Sequence, residues 1–455
     1  MNTRWIVSAF IVSVSAVTLA QQTPPIQPKT VDTPKLPPIV LAGPPKDGEH
    51  IANAPLTVAE AVQIALAHQP QLLIAKASVG SAHGQALQAK AGLNPTVGVT
   101  AGGTRSQVLT SGNGASGSTS SVFDGLTGQL SANQLIFDFN RTRDQIRQAS
   151  ALERSAGRTY DQTVQDVIFQ TKQAYFSYLQ AKQQVTVDLS NVKSRQAQVD
   201  LTQAQLNAGL GAPADLVNAK TLLSQSSLQL LQANQSALQA SVTLATTLGI
   251  DPRTPIVLAD SSEDKATLAD SNALIDQALK NRPEILSAEE SLKAAGFGVS
   301  VARKSTVPSL NIGAGVSTRG TDNMFNSQTG FVSLTFNWTL IDGGVGLGKV
   351  RSAEASKQSA EAQLRQISLS VISDVAKAYT SIQSVEQQVQ TAQAEVGNAQ
   401  EGVRLAEGRY KAGVTTFQEI ITAQAALVTA QTDQVNAIAN LAIARANLDH
   451  AIGKL

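Results

Sequence analysis

The chain has 455 residues, with 35 Lys+Arg against 34 Asp+Glu, four His, no Cys and 4% aromatic residues. So balanced a charge lacks the basic excess of a nucleic-acid binder. The missing Cys excludes disulfides, thiolate metal sites, Cys nucleophiles and an N-terminal lipidated Cys, and four His give a metal cage little to work with. The composition leans away from enzymes and implies no metal and no cofactor.

Residues 1–20 predict an export signal: Arg4 as the positive start, an apolar stretch over 5–19, and Thr18-Leu19-Ala20 as a small-residue cleavage site. No later segment reaches the roughly 20 apolar residues of a membrane helix. The mature chain is therefore expected outside the cytoplasm, soluble or held in a membrane by something other than helices. Nine of the 16 prolines fall within residues 24–55, which predicts an extended leader over 21–55.

The folded body is expected to be written twice, over 56–249 and 268–455, with a linker over 250–267. His68-Gln69-Pro70-Gln71-Leu72 aligns with Asn281-Arg282-Pro283-Glu284-Ile285 at an offset of 213. Beyond a Ser/Gly-rich loop the offset is 204, and it carries Asp138 to Asp342, Tyr175 to Tyr379, Gly209 to Gly413 and Gly249 to Gly453.

Each unit opens with a helix, over 56–90 in the first, where Thr57 and Glu60 have the spacing of a capping box. Two strands follow. In the second unit Leu310, Ile312, Ala314 and Val316 alternate with polar or small residues, and so do Val332, Leu334, Phe336, Trp338 and Leu340. The first unit is weaker, with Val97, Val99 and Ala101, then Leu126, Gly128, Leu130 and Ala132. Each strand is expected to be about 9–11 residues, enough to cross a bilayer when tilted.

A long helix comes next, over 140–207, on the order of 100 Å. Its counterpart steps strictly by four and three from Leu364 to Tyr410, a heptad seam of Val, Ile and Ala. The first unit keeps one such lane (Val164, Tyr178, Val185, Val192, Val199, Leu206) but puts Asp188, Arg195 and Thr202 in the other. Gly209 and Gly413 stop the long helices, and Pro213 opens a return helix over 213–248. The entry and return helices stacked end to end nearly match the long one, a geometry for a cylinder wall.

Four strands cannot close a barrel in hydrocarbon, where every backbone donor needs a partner, so the chain must oligomerise to supply multiples of four. Phe123, Phe137, Phe139, Phe325, Phe331, Phe336 and Trp338 lie in or beside the strand windows, as an interfacial girdle requires. The same alternation also fits a half-buried sheet capping an exported coiled-coil scaffold or adhesin. Asp at Val332 or Leu334 separates the two readings, because only a lipid-facing strand forbids it.

The duplicated order of Pro-Gln/Glu-Leu/Ile helix, strand pair, long helix, Ala-Gly turn and acid-bearing return resembles the TolC-type outer membrane efflux proteins. The resemblance covers residues 56–455. It implies a mainly α fold with a membrane β-barrel: a homotrimer with a twelve-stranded barrel in outer-membrane lipid and a helical tunnel across the periplasm. It also implies a passive exit duct for an efflux pump or type I secretion system, working with a periplasmic adaptor and an inner-membrane transporter, with no nucleic acid involved. Leu310, Ile312, Val316, Val332, Leu334, Phe336 and Trp338 are then the membrane-facing strand residues. Gly209, Leu210, Gly413 and Val414 are the tips that meet adaptor hairpins.

Asp215 and Glu419 stand six residues after the two glycines. In a trimer each forms a ring of three acids, which at a constriction favours cations. By the same resemblance Glu419 matches the first of two acidic aperture positions and Thr422 replaces the second. Thr415 stands where an Arg would latch onto the Asp215 position, so the latch is expected to differ. Acids at a helix start also simply offset the dipole.

Arg141, Arg143 and Arg147 open the first long helix and Lys349 and Arg351 the second, where the dipole disfavours cations. They are expected to face anionic headgroups or line the upper tunnel, a solvated helix face being the plainer alternative. Gly343 to Lys349 has the spacing of a phosphate-cradling loop, but Val350 replaces the Mg²⁺-holding hydroxyl and the first unit has no glycine there. A crowded strand-to-helix corner explains these glycines more simply. No HExxH, GxSxG or paired His motif occurs.

Overall fold

A computed structural model of the chain describes residues 55–110, 119–259, 270–321 and 324–454. The expected export signal, nearly all of the proline-rich leader, much of the Ser/Gly-rich loop and the second half of the linker lie outside the described residues.

The first repeat comprises α1 (Val58–His68), α2 (Pro70–Ala91), β1 (Thr96–Thr110), β2 (Thr119–Phe137), α3 (Arg141–Asn207) and α4 (Pro213–Leu248). The second comprises α5 (Ser271–Asn281), α6 (Pro283–Arg303), β3 (Ser309–Thr321), β4 (Met324–Asn337), α7 (Val345–Lys411) and α8 (Phe417–Ala451), with one 3-10 turn, Lys304–Thr306, before β3. Thr57 caps α1 as expected: its hydroxyl accepts from the Glu60 amide, and the Glu60 carboxylate accepts from the Thr57 amide at 2.9 Å.

The entry helix is not continuous over 56–90. It breaks at Gln69, which is extended (φ −68°, ψ 118°), because the Pro70 ring disfavours helical geometry in the residue before it. Arg282 before Pro283 breaks the second entry helix in the same way (φ −65°, ψ 126°).

The return helices end against these breaks. A Cβ on Gly249, at the end of α4, would lie 2.6 Å from the His68 carbonyl oxygen. One on Gly453, after α8, would lie 3.2 Å from the Arg282 amide. The stack along the long helix is therefore α4 with α2, while α1 turns aside and buries Ala61 and Ala65 in a core with Val167, Tyr175, Leu244 and Leu248. Residues 250–259 close that core. Leu56 and Leu258 form a parallel bridge, and the Tyr175 hydroxyl lies 2.9 Å from the carbonyl oxygens of both Leu56 and Ala259.

Both long helices have 67 residues, and Asn140, expected inside α3, is instead its left-handed N-cap (φ 64°). The heptad seam of α7 is buried or half-buried throughout, with Val371, Val375, Ala378 and Ile382 at its centre. Opposite it α8 buries Ala430, Ala437, Ala444 and Ala451, one per heptad, small enough to bring the two backbones close.

The odd lane of α3 is equally buried. Asp188, Arg195 and Thr202 face inward on a helix that must seat two partners. Val199 and Leu206 pack on Leu216 and Ala219 of α4. The polar lane meets α8, where Arg195 donates to Gln424 at 2.9 Å and Gln424 donates to Gln198 at 3.1 Å. Burial holds the Arg195 guanidinium below the usual arginine range.

The strands form one antiparallel sheet in the order β1-β2-β3-β4. They have 15, 19, 13 and 14 residues, longer than expected, because Gly, Ser and Thr extend the ladder beyond the window where apolar alternation is visible. β4 ends at Asn337, so Trp338 and Leu340, expected within the strand, follow it.

Candidate functional site

Register decides which side chains share a face. Leu310 pairs with Phe336, Ile312 with Leu334, Ala314 with Val332 and Val316 with Gly330. Leu130 lies beside both Val316 and Val99, and Ala132 beside both Ala314 and Val97. One face of the sheet is thus a continuous apolar band running across all four strands. Val332 is 78% exposed and Leu334 67%, and Ile312, Val316 and Phe336 are also open, with Leu310 half-covered. Trp338, one residue past the strand, stands edge-on to Phe336 at the base of the band, with ring centroids 6.4 Å apart. The opposite face carries mostly Thr, Ser, Asn, Gln and Gly, with Leu135, Arg319 and Phe331. Phe331, expected in the aromatic girdle, therefore lies away from the apolar band.

At the far end of the long helices, both tips close by the same hydrogen bonds. Leu210 N donates to Gln205 O and Gly209 N to Leu206 O; Val414 N donates to Arg409 O and Gly413 N to Tyr410 O. This pair of hydrogen bonds needs a left-handed residue after the helix, and Gly209 (φ 73°) and Gly413 (φ 71°) supply it. Leu210 is 85% exposed and Val414 69%. Two apolar side chains are therefore displayed on rigid turns.

Asp215 and Glu419 both lie in the first turn of a return helix. Glu419 is not a bare acid. Arg409 donates to it at 2.6 Å from the end of α7, and the Thr415 hydroxyl donates to the same carboxylate. Thr415 is thus brought to Glu419 and not to Asp215, which has no ion pair among the described residues. The Thr422 hydroxyl is spent on its own helix, donating to Gln418 O at 2.9 Å. Arg409 was missed in the sequence because a base in the last turn of a helix already has a local explanation in the dipole. Its ten-residue distance from Glu419 shortens only once the Gly413 turn is formed.

The strand-to-helix corners settle the phosphate-loop question. The Asp342 carboxylate accepts from the amides of Gly344 at 2.9 Å and Gly346 at 2.6 Å, and these two bonds hold it below the usual carboxylate range. The chain's own acid fills the cradle a phosphate would need. Asp138 takes the same place in the first repeat, accepting from the Thr142 amide at 2.7 Å.

Of the cations beyond these corners, Arg147 pairs with the buried Asp144, which also accepts from Lys304 and Ser300 at 2.5 Å. Arg143, Lys349 and Arg351 are exposed. Among the described residues no group of three or more His, Asp or Glu is placed to hold a metal, and no helix is long and apolar enough to cross a membrane.

Comparison with known proteins bears on this geometry. The sequence profile of the outer membrane efflux protein family matches residues 61–250 and again 274–454. The chain is 28% identical over 349 residues to the pyoverdine export outer membrane protein OpmQ of Pseudomonas putida, covering 72% of this chain and 71% of that one. It is 26% identical over 335 residues to Protein CyaE of Bordetella pertussis, covering 72% and 69%.

Among solved structures, the outer-membrane channel OprN superimposes with a TM-score of 0.77 at 21% identity, covering 88% of this chain and 90% of that one. CusC superimposes with a TM-score of 0.78 at 20% identity, covering 87% and 92%. Channels of this family form trimers in tripartite efflux systems. The exported scaffold is set aside by the double match, which spans both repeats, and the chain belongs to the outer membrane efflux protein family, as a channel of the outer membrane that extends into the periplasm.

Proposed function

We propose that three copies of this chain close one twelve-stranded barrel and one helical duct, and that the assembly is a passive conduit driven by its partners. The observation that carries this is the sheet. Within the chain β1 and β4 have unpaired outer edges, and an open edge is not tolerated in hydrocarbon. Pairing β4 of one copy with β1 of the next satisfies both edges and turns the apolar band toward lipid.

The tip residues Gly209, Leu210, Gly413 and Val414 are the docking points for a periplasmic adaptor, which in turn holds an inner-membrane transporter. Support comes from the exposed Leu210 and Val414 on turns of identical geometry. Asp215, Thr415, Glu419 and Thr422 line the periplasmic aperture. There the Arg409–Glu419 pair halves the acid charge that two carboxylates would otherwise present.

The test is the native mass of the mature chain, purified from membranes in mild detergent, followed by planar-bilayer conductance. A species of three chain masses that conducts is expected, with Glu419→Gln lowering its cation preference. A detergent-free monomer or dimer without conductance would remove the reading.

A further inference from the structure

We infer that the polar face of the sheet carries a selectivity site for amphipathic organic anions, built from Arg319 and Phe331. This rests on the trimeric barrel proposed above, in which that face is the lumen wall.

The face is set by register. Positions opposite the apolar band include Thr96, Thr100, Gln129, Asn133, Ser317 and Thr335, all neutral and polar. Among the described side chains on this face, Arg319 is the one charged group and Phe331 the one aromatic. The fold does not need a charge at 319, and at 331 it needs only an apolar cover for Gly315, which an aliphatic side chain also gives. A strand position opposite the lipid face is served by Ser or Thr, as its neighbours are.

The local geometry keeps both groups available. Phe331 pairs with Gly315, where an added Cβ would lie 2.9 Å from the Phe331 ring and 2.5 Å from the Leu130 carbonyl oxygen. The glycine therefore lets the ring lie down along the wall. One ring face covers the glycine and the other stays open, with the residue 36% exposed. Arg319 is exposed and has no ion-pair partner among the described residues. It stands four residues along β3 from Gly315, about 13 Å at the usual rise of a strand.

A guanidinium fork binds a carboxylate or sulfonate through paired hydrogen bonds, and an open ring face takes a planar apolar body. A solute with an anionic group at one end and an aromatic body on the order of 10 Å long matches that spacing, since the Arg side chain can lean toward the ring. Three such pairs would line one barrel, and three unpaired cations on the wall also favour small anions.

The experiment measures current through the reconstituted trimer in low-salt planar bilayers, with naphthalenesulfonate as blocker and naphthalenemethylammonium as its cationic control. The sulfonate is expected to block at lower concentration than the ammonium. Arg319→Gln should erase that difference and move the reversal potential in a KCl gradient toward potassium. Phe331→Leu keeps an apolar cover over Gly315 and so preserves folding. It should raise the half-blocking concentration of the sulfonate roughly tenfold while leaving the reversal potential in place.

Equal block by both naphthalenes in wild type, or block unchanged in both variants, would overturn the inference and leave Phe331 as a shield for the glycine. No trimer and no conductance in wild type would instead overturn the channel reading itself.

Discussion

In the first repeat the chain turns from β2 into α3 through Phe139 and Asn140, both left-handed at φ 54° and 64°. In the second it turns from β4 into α7 through Gly343 and Gly344, at φ 62° and 90°. An aspartate at the matching place accepts helix-start amides in both. The backbone path and the acid cap are therefore what this corner needs, and glycine is one of two ways to obtain them.

The long helices differ more. Where α3 has Asp188, Arg195 and Thr202, α7 has Ala392, Ala399 and Ala406 at the same offset. In the first lane Arg195 donates to Gln424 of α8, while the second is alanine at all three positions. One backbone, used twice, meets two different neighbours. Writing one repeat's residue into the other is the direct way to probe this.

The largest effect is expected at the lipid band. Val332 corresponds to Gly128 in the first repeat. Val332→Gly copies that residue and should still yield membrane trimers, at a cost of about 1 kcal/mol in strand propensity. Val332→Asp places three carboxylates against lipid and should leave no trimer in the membrane fraction. Recovery of a normal Val332→Asp trimer from membranes would mean that this face does not meet lipid.

Next comes the seam. Ala392 is 6% exposed, in the buried seam of α7. Ala392→Asp writes the residue of α3 into α7, with Gln388 four residues before it as Gln184 stands before Asp188. A carboxylate in place of a buried methyl, with one amide as its donor, is expected to cost about 1–3 kcal/mol. Asp188→Ala, the reverse exchange, should cost less, since the Gln184 amide that loses Asp188 still donates to Thr432. Thermal unfolding of the detergent-solubilised trimer ranks the two, and equal midpoints would mean that the lanes are interchangeable.

Much of this is legible in the sequence itself. The offset of 204 placed both long helices within a residue or two, both tips and both aspartate corners, because heptads, Gly stops and repeats act through local sequence. Two kinds of feature were not readable. Pro70 and Pro283 were visible, but apolar periodicity runs through them, and a proline in the first turn of a helix looks the same as one that breaks it. The burial of Arg195 and the bond from Arg409 to Glu419 depend on which helix packs alongside. Nothing in the spacing of a single helix carries that information.

A smaller difference separates Tyr175 from Tyr379, which occupy one position in the two repeats. Tyr175 is fully buried, with its hydroxyl on the Leu56 and Ala259 carbonyl oxygens. Tyr379 is half-buried and donates no hydrogen bond among the described residues. Tyr175→Phe leaves the Leu56 carbonyl with the Ala259 amide but removes the donor to the Ala259 carbonyl, and should cost about 1 kcal/mol. Tyr379→Phe should change stability by less than about 0.5 kcal/mol. Matching unfolding shifts for the two would show that the 250–259 segment is not held by Tyr175.

The smallest effect expected is an acid one, and it again compares the helix starts. The Asp342 carboxyl is held low by the Gly346 and Gly344 amides. For Asp144, burial alone would raise the value, but hydrogen bonds from Lys304 and Ser300 and the charges of Lys304 and Arg147 outweigh it and leave it lowered. A group whose folded value is depressed stabilises the fold above its unfolded value, near 3.9, and loses that contribution as pH falls through the folded value. Unfolding midpoints of the trimer should therefore be flat from about pH 6 to 5 and fall below about pH 4. Asp144→Asn, at the buried start of α3, should flatten that acid limb more than Asp342→Asn at the open start of α7, where water screens the charge. An acid limb unchanged in both variants would assign the loss of stability to carboxylates elsewhere in the chain.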